Sequence, residues 1–114
     1  MKIDLSWLGS ELPFPVVRTT LVSADRDLDP GDVGRLRTKY GAVAADWESG
    51  SIAYVAQLNG KRVVILRMVT DLVSKSAGEI YGDASLFEDR ARQAMGKMME
   101  RLPGWLAHCR SSVR

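Results

Sequence analysis

AVAADWESGSIAYVAQLNG, residues 42–60, decides the fold. Its first five residues are small and apolar, end at Asp46, and read as a brief buried strand. From Trp47 to Asn59 the apolar positions Trp47, Ile52, Val55, Ala56 and Leu58 fit one face of a helix better than alternation, and Gly60 closes that helix. A strand that passes straight into a helix is the first part of a βαβ unit, so the next apolar run should return parallel to the first strand. That run is RVVILRMVTDLV, residues 62–73. Its unbroken Val63, Val64, Ile65 and Leu66 suit a parallel strand covered on both faces, and residues 62–70 are expected to form one.

Working outward, PVVRTTLVSAD, residues 15–25, is rich in Val, Thr and Leu and reads as a strand ending at Ser23 and Asp25. DPGDVGRLRTKYG, residues 29–41, offers Asp29 as N-cap, Pro30 at the first helical position and Gly41 as the stop of a short helix. Residues 1–15, broken by Gly9, Pro13 and Pro15, form an irregular lead-in. Downstream, residues 74–84 read as a loop. Ser85 and Glu88 then make a capping box, and Phe87, Ala91, Met95, Met98 and Leu102 run down one face of a helix that Pro103 should stop. These methionines are expected as core filler. The predicted fold is α/β: a three-layer βαβαβα arrangement in which a mostly parallel sheet is flanked by helices, with residues 1–114 as one domain.

Composition narrows the function classes. With 46% hydrophobic and 26% charged residues over 114 positions, the chain is globular rather than disordered or fibrous. The 16 basic and 14 acidic residues are interspersed and leave a net charge of +2, with no basic stripe for nucleic acid. Cys109 is the only cysteine and His108 the only histidine, so neither an internal disulfide nor a Cys/His zinc set can form, which suits a cytoplasmic protein. Cys109 is expected as a small buried or half-buried filler and His108 as a helix-end residue. Asp4 and Glu11 interrupt the N-terminal apolar residues, so no signal peptide and no membrane partner is expected.

In a parallel sheet the carboxyl ends of the strands emerge along one edge, where ligands bind. Ser23 and Asp25 follow the first predicted strand, Asp46 and Glu48 the second, and Thr70 and Asp71 the third. Singly, Asp46 caps a helix, Glu48 suits its first turn and Asp71 shapes a turn. Together they form a rim of acids and hydroxyls. Such a rim suits hydrogen bonding to sugar hydroxyls, oxygen ligation of a hard cation, or acid/base work. A magnesium-dependent phosphoryl-transfer site ranks low among these, since no Gly-rich phosphate loop is present.

Residues 22–73, with ADWESGSIA and VTDLV as the most specific pieces, resemble the C-terminal half of the nucleoside phosphorylase and nucleosidase superfamily, and within it the methylthioadenosine and S-adenosylhomocysteine nucleosidases. The resemblance implies hydrolysis of the N-glycosidic bond of a purine nucleoside, without a cofactor or metal. It implies that Glu48 grips the ribose 2′ and 3′ hydroxyls and that Asp71 is the catalytic acid at purine N7. Thr70 stands where relatives have a serine that orients this aspartate. Trp47 replaces a methionine lining the sugar pocket, and Asp46 shapes the pocket floor. Leu28 lies where many relatives set an aromatic ring against the base.

Nothing in residues 1–15 resembles the N-terminal half of that family, which carries the water-activating acid and the phosphate site. Three parallel strands are also fewer than an ordinary open sheet holds. The expectation is therefore a homo-oligomer, or a pairing with a second chain that supplies the missing half. Without a water activator the same features describe a non-catalytic nucleoside-binding or interaction module.

Overall fold

The computed structural model describes residues 1–74 and 82–113. Two strands, β1 (Thr20–Ser23) and β2 (Ala42–Asp46), lie parallel, and helix α1 (Val33–Tyr40) forms the crossover between them. Helix α2 (Ser49–Leu58) follows β2 directly, and α3 (Ala84–Ser111) is the long C-terminal helix. One-turn 3-10 segments sit at Ser6–Leu8 and Pro30–Asp32. This is a small parallel sheet flanked by helices, the predicted α/β class. Among the described residues no helix is long and apolar enough to cross a membrane.

Local chemistry sets the crossover. The Asp29 carboxylate accepts from the Gly31 N–H at 2.7 Å, and Pro30 gives the turn the fixed φ that a helix start needs. Gly41 ends α1 in the left-handed region at φ 63°, its N–H donating to the Arg37 carbonyl at 2.9 Å. One residue later the chain enters β2. The ladder pairs Thr20 with Ala42 and, after an irregularity, Leu21 with Ala44, Val22 with Ala45 and Ser23 with Asp46. That register brings Ser23 and Asp46 to the same carboxyl edge.

Two expectations are corrected. Residues 62–70 do not form a strand, and among the described residues the sheet has two strands, not three. Apolar content drives burial, but a strand also needs a neighbouring backbone whose N–H and C=O groups meet its own. Here the run is held by side-chain contacts from Arg67 instead, and Val63 to Leu66 are only half-buried. The expected loop at 74–84 falls partly outside the described residues.

The second correction concerns α3. Asp83, not Ser85, is its N-cap, the carboxylate accepting from the Leu86 N–H at 2.9 Å. The helix then continues through Pro103 to Ser111. An interior proline costs about 3 kcal/mol, so something beyond it must hold the helix. Trp105 is 5% exposed and packs against Phe14 with ring centroids 6.4 Å apart. The His108 Nε2 lies 2.8 Å from the Leu8 carbonyl oxygen. Gly104 lets Phe14 approach, since a Cβ there would stand 2.7 Å from its ring. The lead-in and the end of α3 thus lock each other, and Cys109 is half-buried beside them as expected.

Trp105 is the largest buried side chain of the core, which also includes Leu8, Ala42 and Ala53. Trp105→Ala should lower the free energy of unfolding by about 3 kcal/mol. Urea denaturation followed by circular dichroism measures the change, and a loss under about 1 kcal/mol would show that this contact does not hold α3 past Pro103.

Candidate functional site at the carboxyl edge

The register that sets Ser23 beside Asp46 builds the site. The Ser23 hydroxyl donates to Asp46 Oδ1 at 2.5 Å and accepts from the Gly50 N–H at 2.8 Å. Gly50 is required by space, because a Cβ there would stand 3.0 Å from Ser23 Cβ. The first turn of α2 therefore sits directly on the end of β1. Ser49 donates to Asp46 twice: its N–H reaches Oδ1 at 3.2 Å and its hydroxyl binds Oδ2.

Arg67 completes the cluster. Its Nε lies 2.8 Å from Asp46 Oδ2 and donates to Ser49 Oγ at 2.9 Å, while Nη2 lies 3.4 Å from Glu48 Oε2. Asp46 keeps 14% of its side chain exposed, Glu48 61%. Burial pushes the Asp46 carboxyl pKa upward, but the hydroxyls of Ser23 and Ser49, the Ser49 N–H and the Arg67 charge outweigh it and hold the group below the ordinary 3.8.

Beside this cluster opens a cleft of about 380 Å³, whose walls include Leu28, Leu36, Tyr40, Asp46 and Trp47. On its rim Asp32 is gripped by Arg26 at 2.6 Å and by Arg35 at 3.0 Å. The sequence-predicted residues Leu28, Asp46 and Trp47 thus share one cavity. Glu48 stands at the N-cap position of α2 without a side-chain capping hydrogen bond, does not line the cleft, and joins the group through Arg67. Thr70 and Asp71 do not line the cleft. Both are half-buried, and the Thr70 carbonyl accepts from Arg90 of α3 at 3.4 Å.

Sequence reasoning missed Arg67 and Ser49. The signal for Arg67 was a lone charge within the apolar residues 63–70, which a plain core strand would not carry. Ser49 gave no such signal, since its role depends on the β1/β2 register.

The sign of the Asp46 shift fixes a pH dependence. A carboxyl whose folded pKa lies below its unfolded value stabilises fully above 3.8, and that contribution is lost as pH falls through the lower folded value. Asp46→Asn should cost about 2 kcal/mol at neutral pH. The gap between variant and wild type should close in strongly acidic solution, as read from denaturation at several pH values. A gap that stays constant with pH would remove the charge of Asp46 from the account.

The model of the Phosphorylase superfamily matches residues 9–102, extending on both sides of the 22–73 resemblance and spanning both strands, the cleft, Arg67 and most of α3. No curated protein and no solved structure matches the chain significantly. The chain therefore belongs to the Phosphorylase superfamily, the superfamily of nucleoside phosphorylases and nucleosidases.

Proposed function

We propose that the chain is a purine nucleosidase-like domain acting on nucleosides of the methylthioadenosine and S-adenosylhomocysteine type. The observation that carries this reading is the exposed Glu48 carboxylate, oriented by Arg67 at the carboxyl edge of a parallel sheet beside a cleft walled by Leu28 and Trp47, in a chain of this superfamily. A carboxylate only accepts hydrogen bonds, so Glu48 suits two adjacent ribose hydroxyls. Tyr40, Leu28 and Trp47 offer apolar surface for the base.

In this reading the bond from ribose C1′ to the purine nitrogen breaks with its electron pair moving into the base. Positive charge develops on the sugar, where Glu48 stabilises it. Asp71 delivers a proton to the purine N7, so the base leaves neutral. Water adds its oxygen to C1′ and gives up a proton to a base supplied from outside these residues.

A second reading rests on a specific observation: Thr70 and Asp71 lie outside the cleft that Leu28, Asp46 and Trp47 line. In that case the chain binds a nucleoside without cleaving it. As in the first reading, 1–114 is then a single nucleosidase-like domain whose remaining half comes from another polypeptide or copy.

Calorimetric titration with methylthioadenosine, run beside a chromatographic assay for released adenine, separates the two. Catalysis predicts adenine release that Asp71→Asn lowers by about 100-fold or more, with binding retained. Glu48→Gln should weaken binding about 10-fold in either case. Binding without release establishes the second reading, and no binding at all sinks both.

A further inference from the structure

The cleft beside the Asp46 cluster holds an acid that the fold itself does not use. Four aspartates line it, Asp27, Asp29, Asp32 and Asp46, against two arginines, Arg26 and Arg35. Both arginines are spent on one partner, since Arg26 lies 2.6 Å and Arg35 3.0 Å from Asp32. Asp46 is filled by Ser23, Ser49 and Arg67. Asp29 takes the Gly31 N–H and so holds the turn at Pro30–Asp32. Asp27 makes no hydrogen bond or ion pair among the described residues. Its neighbour in the chain, Arg26, is turned to Asp32, so the nearest cation in sequence does not neutralise it.

The surroundings of Asp27 give that carboxylate a task. Leu28, the next residue, lines the same cleft together with Tyr40 and Trp47. Trp47 is 59% exposed and Tyr40 48%, so ring surface is open to a flat ligand. Consecutive Cα atoms are about 3.8 Å apart, so a flat ring lying on Leu28 has its edge within reach of the Asp27 side chain. A carboxylate only accepts hydrogen bonds. It favours an edge that carries an N–H donor and repels one that turns a lone pair toward it.

We propose that Asp27 sets the base specificity of this cleft, its carboxylate accepting a hydrogen bond from the exocyclic amino group of a 6-aminopurine. This role rests on the nucleoside reading of the cleft given above and goes beyond it in naming the residue that chooses the base. Glu48 then serves the sugar, Leu28, Tyr40 and Trp47 the ring faces, and Asp27 the ring edge. Asp27 is exposed, so water competes with the ligand and the selection amounts to about one order of magnitude rather than several.

Two ligands that differ at a single position test this: methylthioadenosine and its analogue with hydrogen in place of the 6-amino group, each titrated calorimetrically into the full chain. The wild type should bind the amino compound about 10-fold more tightly. Asp27→Ala should bring that ratio to about 1, and Asp27→Asn, which keeps a neutral acceptor, to about 3. Asp27 lies outside the helices and strands, so circular dichroism of both variants should match that of the wild type. Glu48→Gln should weaken both ligands and keep the ratio, which separates the sugar contact from the base contact. A wild-type ratio near 1, or a ratio that Asp27→Ala leaves in place, overturns the proposal while the nucleoside reading stands. A chain that binds neither ligand loses the nucleoside reading and the role of Asp27 with it.

Discussion

The Asp46 carboxylate is the constraint on which the site depends. It offers about four lone-pair positions, and the structure fills them with three hydrogen bonds, from the Ser23 hydroxyl, the Ser49 N–H and the Ser49 hydroxyl, and with an ion pair to Arg67 Nε. These donors come from the end of β1, the start of α2 and the segment after α2, so one side chain fastens three pieces of chain to the end of β2. A saturated, largely buried carboxylate has little left to offer a ligand. Glu48, two residues on, has an exposed carboxylate that, among the described residues, is touched at one oxygen by the same arginine. The clamped acid and the exposed acid are separated by one tryptophan.

The saturation of Asp46 also explains why residues 62–70 can settle without a backbone ladder. Arg67 inserts its guanidinium between Asp46, Ser49 and Glu48, and charge-assisted hydrogen bonds of this kind are about twice as strong as neutral ones. The pair is part-exposed, so water screens some of the attraction. Its value lies in fixing position more than in adding stability. Val63 to Leu66 stay half-buried and Val69 is exposed, as expected for a run that has a direction imposed by one contact and no sheet neighbour to complete its cover.

What could be read in the sequence was what depends on neighbours in the chain. Asp29, Pro30 and Gly41 bracket the α1 region because an Asx cap, a fixed φ and a left-handed stop are local requirements. The parallel arrangement of β1 and β2 followed from strand, helix and strand in succession, and the carboxyl edge from that arrangement. The reading failed where distant contacts decide. Pro103 is a stop signal on its own, yet Trp105 and His108 find partners in Phe14 and Leu8, some ninety to one hundred positions away, and the helix goes on. Residues 62–70 have the composition of a strand, but pairing requires an available neighbour, which composition does not report. Asp46 was legible as a site residue, whereas its saturation was not, because that follows from the register of Ser23 against it.

Helix α2 connects the site to the surface of the molecule. Its first residue, Ser49, donates two of the three hydrogen bonds to Asp46, and its second, Gly50, rests on Ser23. Three to nine residues after Ser49, the same rigid rod presents Ile52, Val55 and Leu58 to solvent. Within a ten-residue helix, a displacement of the exposed end is carried to the other, because intrahelical hydrogen bonds leave little freedom for bending. Holding the outer face of α2 therefore holds Ser49, through Ser49 the Asp46 clamp, and through Arg67 the orientation of Glu48. The outer face of α2 and the Glu48 carboxylate are two ends of one mechanical element.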